Sequence, residues 1–198
     1  MIREQLICEL LEAAWLRVEH GPLERERPRG PFDAESLGGS AALAAADLVA
    51  CERHAHTQEP PAEDASVEVL LDTPLARHAA DAASSLIALA RALAYAIGQP
   101  RTASREGLAL LVSKAIGRDL DALSFDTAPH GYDDAAESLG RITDALINHG
   151  PARLGPIIII APAADAIANV IAVTVANLLD WRAFDDDVED QEPVPDLG

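Results

Sequence analysis

Aromatic residues, lysine and cysteine are all scarce in this sequence, and each shortage narrows what the chain can be. Phenylalanine, tryptophan and tyrosine make up 4% of 198 residues, so the core must be assembled from alanine, leucine, isoleucine and valine. Side chains of that size suit closely packed helices, and alanine has the highest helix propensity because it loses no rotamer freedom on folding. Lys114 is the only lysine; arginine supplies the rest of the 15 basic residues, against 33 acidic ones and a formal charge of −18. Without clustered basic residues a chain cannot neutralise phosphates, so direct binding to nucleic acid or to an anionic membrane surface is not expected.

The two cysteines, Cys8 and Cys51, lack C-x-x-C spacing. This predicts neither a disulfide framework nor a zinc site and fits a reducing, cytoplasmic setting. Glu4, Glu9 and Glu12 stand where a signal peptide would need a basic end and an unbroken apolar run, so the N-terminal stretch reads as a structural helix. The phosphate-binding G-x-x-x-x-G-K-[ST] loop, the dinucleotide G-x-G-x-x-G turn and the G-x-S-x-G nucleophile elbow are missing, which removes the commonest nucleotide and hydrolase signatures.

What is present is apolar periodicity. With 49% hydrophobic residues, the expected fold is an all-α bundle of about six helices. It forms one domain over residues 1–184, with exposed loops near 21–32 and 57–66. Residues 185–198 read as an acidic, disordered tail. In the first helix Ile2, Leu6, Leu10, Ala14 and Val18 recur every fourth residue. The second helix reaches the C-E-R-H-A-H stretch; Asp33 is one candidate for its start, and Gly38 and Gly39, which weaken its early turns, make Ser40 the other.

Val67 to Leu71 is too short to separate strand from helix turn. Thr73-Pro74 then forms a helix start, threonine capping free N–H groups and proline standing where its missing donor costs nothing. Leu75, Ala79, Ala82, Leu86, Leu89, Leu93 and Ile97 follow at alternating spacings of three and four, a seam for lengthwise packing that Gly98 and Pro100 end. Thr102 is the expected cap of a fourth helix, and Asp134 with Glu137 has capping-box-like spacing for a fifth.

The four isoleucines at 157–160 favour a short extended segment before a final helix from about Pro162 to Trp181. That apolar region, 157–179, is long enough to cross a bilayer. Pro162, Asp165, Asn169, Thr174 and Asn177, with no flanking basic cluster, favour a helix buried on all sides instead.

Candidate chemistry is concentrated in D-L-V-A-C-E-R-H-A-H. Asp47, Cys51 and His54, spaced four and three apart, share one helix face. Glu52 and His56 form a second pair, and His78 on the long helix joins them only if the two helices pack side by side. Carboxylate, thiol and imidazole are metal-ligand types, but the sequence offers no partner helix with E-x-x-H spacing to close a shell.

Glu9-Leu10-Leu11-Glu12 is similar to the first acidic pair of the magnesium site in MazG-like all-α nucleotide pyrophosphatases. The likeness spans four residues, and the next segment offers only Asp33 and Glu35 in place of the second pair. Asp133-Asp134 with Glu137 resembles the aspartate-rich magnesium motif of terpene synthases, but no second magnesium motif accompanies it and the chain is too short for that fold.

The strongest features are packing seams and a charged tail. They point first to a non-enzymatic assembly, adaptor or regulatory subunit, acting through a protein partner or as a homo-oligomer and needing no cofactor. The alternative is a metal-dependent helical-bundle enzyme, holding a divalent ion through Asp47, Cys51, His54, His56 and His78. An acidic inhibitor that mimics nucleic acid is a second alternative.

Overall fold

A computed structural model describes residues 2–20, 34–57, 62, 65–123, 131–150 and 156–179. Seven α-helices and a single 3₁₀ turn account for nearly all of these residues, and no strand occurs among them. The helices are α1 (Ile2–His20), α2 (Ala34–Thr57), α3 (Val67–Leu71), α4 (Pro74–Ala96), α5 (Arg105–Leu123), α6 (Asp133–His149) and α7 (Pro156–Leu178), with the 3₁₀ turn at Pro100–Ala103 between α4 and α5. The all-α bundle expected from the sequence is the fold. The anticipated loop at 21–32, most of that at 57–66 and the acidic tail lie outside the described residues.

Helices α4 and α7 form the centre and pack on each other. Helices α1 and α2 cover α4, and α5 and α6 cover α7. The predicted seam lies in this core: Leu75, Ala79, Ala82, Leu86, Leu89 and Leu93 are fully buried within the chain. Thr73 caps α4, its Oγ1 accepting from the Ala76 N–H at 3.2 Å, and Pro74 takes the first helical position. At the other end Gly98 adopts φ +72°. The Gln99 N–H reaches the Ala94 carbonyl at 2.8 Å and the Gly98 N–H that of Tyr95 at 3.0 Å, the paired closure of a Schellman end.

Three expectations need correction. Residues 157–160 belong to α7 and are not extended. β-Branching costs a helix only tenths of a kcal/mol per residue, roughly, whereas an extended segment without a partner strand would leave its backbone groups unpaired. The last helix accordingly begins at Pro156 and runs through Pro162. Of the two starts offered for α2 the earlier agrees with the structure: the helix begins at Ala34 and passes through Gly38 and Gly39, because Leu37, Ala44, Leu48, Cys51 and Ala55 are all buried and hold it on the core. Ser104, and not Thr102, caps α5, its Oγ accepting from the Gly107 N–H at 3.1 Å, while Thr102 lies in the 3₁₀ turn. The Asp134/Glu137 capping box does not form: Tyr132 is the residue before α6 and no side chain caps there, and Glu137 pairs with Arg141 at 3.2 Å. Val67 to Leu71, open between strand and helix, is helical.

Helix α7 is long and apolar enough to cross a membrane, and it is the one such helix among the described residues. Its apolar residues from Ala163 to Val175 are already covered by protein, as those of a core helix are. Charged side chains staple the outer helices. Arg17 of α1 meets Asp81 of α4 at 2.7 Å, and Arg118 of α5 meets Asp165 of α7 at 2.7 Å. Arg105 pairs with Glu12 and stacks over Trp15 at 5.8 Å.

Candidate functional site

Helices α2 and α4 do pack side by side, so the condition for joining His78 to the α2 cluster is met. The result is a polar seam. The rings of His54 and His78 stack with centroids 5.0 Å apart and planes 14° from parallel. Nitrogen lone pairs lie in the plane of an imidazole, so rings stacked this way direct them side by side and do not converge on one ion. Asp47 is half-buried beside His78 and Asp81 and accepts a hydrogen bond from Ser85. Burial first, and the Asp81 charge second, hold its carboxyl above the ordinary aspartate range.

Cys51 is buried. Burial, reinforced by the charges of Asp47 and Asp81, pushes its thiol up to about 12, so it stays protonated at neutral pH. His56 points away from this seam and pairs with Glu52 at 2.8 Å on the surface. Among the described residues no three His, Cys, Asp or Glu side chains are grouped so as to hold a metal ion. Of the two magnesium-motif likenesses, Glu12 is bound to Arg105 and Glu35 falls in the first turn of α2, while Asp133 and Asp134 are exposed at the start of α6. Asp33 lies outside the described residues.

The larger feature lies on the opposite side of α2. A groove of about 670 Å³ runs between α2 and α6. One wall is Gly38, Ala41, Ala42, Ala45 and Val49 of α2; the other is Ala136 and Gly140 of α6; Leu48 and Leu139 lie between them. The two helices run antiparallel along it. The Tyr132 N–H, just before α6, donates to Glu52 Oε2 near the end of α2 at 3.3 Å, whereas Gly38 near the start of α2 shares the groove with Asp144 farther along α6. Tyr132 also anchors α6 from below, its hydroxyl meeting Thr174 Oγ1 of α7 at 2.9 Å in a buried pair. Burial, then the nearby Cys51, raises the phenol far above its usual range, so it remains neutral.

Two properties of this groove bear on its use. Gly38 and Gly140 stand inside helices on its facing walls, and a Cβ at either, as at Gly39 and Gly117 outside the groove, would meet nothing within 4 Å. An interior glycine costs a helix about 1 kcal/mol relative to alanine, and no packing within the chain requires one at these places. Second, from Leu37 to Ala46 the helix carries no charged residue, although the chain as a whole is 24% charged. Val49, on the groove's α2 wall, is 61% exposed. Sequence reading marks Gly38 only as a weak point in α2 and Leu139 only as an apolar position of the fifth helix, and it does not single out Gly140 or Ala136. The signal that could have found the groove is a glycine inside each of two otherwise regular helices.

Comparison with protein-family models, curated proteins and solved structures finds no match to this chain, so its own geometry is the guide to its function.

Proposed function

We propose that the protein acts by binding another protein, as an assembly or adaptor subunit, and that the α2–α6 groove receives a helical segment of the partner. The observation that carries this reading is the pair of unforced glycines on facing walls. They lower the walls of an apolar groove, and small side chains let a docked helix approach closely while its larger side chains fill the space between. The seams that first suggested oligomerisation, along α4 and α7, are consumed within the chain's own core. The groove is therefore the surface that supports partner binding.

The test is site-specific photo-crosslinking in the native cellular setting, with the photoreactive residue at Val49 or at Lys114 of α5. A discrete heteromeric adduct from position 49 that is lost when Gly140→Leu fills the groove, with none from position 114, is expected. Adducts that form equally from both positions, or that survive Gly140→Leu, would refute docking in the groove.

A further inference from the structure

The charge around the groove specifies what kind of helix it takes. Asp133 and Asp144 stand toward opposite ends of the α6 wall, and Glu52 of α2, held by the Tyr132 N–H and by His56, lies at the Asp133 end. Neither Asp133 nor Asp144 has an ion-pair partner among the described residues. Arg141, the basic residue nearest in sequence to both, is engaged by Glu137. The two aspartates are eleven positions apart, which is about 16 Å of helix and very nearly three full turns, so both carboxylates emerge on one side of α6.

We infer that the occupant is an amphipathic helix with basic residues about eleven positions apart, flanking an apolar stripe. Its stripe lies along Ala42, Ala45, Ala136 and Gly140, and its basic ends meet Asp133 at one end and Asp144 at the other. A second copy of this chain does not fit the same charge pattern, since each copy carries a net −18 and brings further carboxylates to the carboxylates already there. This inference rests on the docking reading of the groove and adds the chemistry of the partner.

Three synthetic peptides separate the two claims. All are capped helices of about four turns with the same leucine stripe; the ends carry arginine, glutamine or glutamate. Binding to the full chain is followed by fluorescence anisotropy at low and high salt, beside sedimentation of the chain alone. The arginine peptide should bind on the order of tenfold more tightly than the glutamine peptide, and the advantage should shrink with salt. Asp133→Asn combined with Asp144→Asn should bring the arginine peptide to the glutamine peptide's affinity while leaving the latter unchanged. Gly140→Leu should abolish binding of both. If glutamine and glutamate peptides bind as well as arginine, and Gly140→Leu still blocks them, the basic flanks are wrong and groove docking stands. If no peptide binds, or if the chain self-associates in a way that Gly140→Leu abolishes, the inferred occupant is wrong, and in the first case the docking reading fails with it.

Discussion

The hydroxyls of Tyr132 and Thr174 meet at 2.9 Å in the buried seam between α6 and α7. They tie the groove's α6 wall to the central helix of the bundle. Each hydroxyl satisfies the other where water does not reach, so removing one leaves the other without its partner. Thr174 can turn back to a carbonyl of its own helix, which lessens the loss on its side. Tyr132→Phe should destabilise the protein by about 1–2 kcal/mol and Thr174→Val by about 1 kcal/mol, and the double variant should lose less than the sum. Urea denaturation of the four proteins measures this coupling; strict additivity would mean that the pair contributes nothing jointly.

The glycines of the groove should behave oppositely to the glycine of the α5 start. Gly38→Ala and Gly140→Ala face open space and should each stabilise the chain by about 0.5–1 kcal/mol. At Gly107 a Cβ would come within 2.9 Å of the Thr102 carbonyl oxygen and 3.2 Å of that of Arg101, so Gly107→Ala should destabilise by about 1 kcal/mol or more. Denaturation midpoints check the three signs. A loss of stability at Gly38 or Gly140 would show that those glycines serve the fold, and would remove the support they give to a retained docking surface.

Cysteine reactivity should split cleanly. Cys8 is exposed and Cys51 is buried, and the Cys51 thiol is raised to about 12. One thiol should react with iodoacetamide in native protein, while the second should react on the order of a hundredfold more slowly until the chain is unfolded. Peptide mapping by mass spectrometry assigns the sites. Rapid native labelling at Cys51 would contradict the packing of α2 described above.

Asp119 ties part of the stability to pH. Burial, reinforced by Asp165 and Asp134 and opposed by Arg118, raises its carboxyl from 3.8 to about 6. The folded state therefore holds a proton that the unfolded state has released between those values. The stability linked to that proton is complete below about pH 4 and is lost as pH rises through 6. Because the side chain is only half-buried, the effect is on the order of 1 kcal/mol after screening. Asp119→Asn should match the native chain at pH 4 and exceed it by about that amount at pH 7.5. An equal difference at both pH values would show that charge on Asp119 is not the cause.

Features written in local sequence were legible before the structure. Thr73-Pro74 and Gly98 bound α4 because caps act through neighbouring backbone groups, and the leucine and alanine seam between them reports a helix covered along its length. The isoleucines at 157–160 misled because branching is a weak preference, and the missing strand partner is a fact about the whole fold. His54 and His78 could be named as neighbours only on condition that α2 and α4 pack together. The parallel stacking that decides their chemistry depends on rotation about the helix axes. The groove was illegible for the same reason: no spacing within α2 or α6 says that Gly38, Ala42 and Ala45 face Ala136 and Gly140 across a gap.

The most direct test of the docking claim is an amide shift map of the isotopically labelled 198-residue chain titrated with the arginine-ended helical peptide, repeated with Gly140→Leu. Shifts concentrated at Gly38, Ala42, Ala45, Ala136 and Gly140, and absent in the variant, are the predicted result. Shifts scattered over other surfaces, or unchanged when the groove is filled, would contradict the assignment of this groove as a protein-docking site.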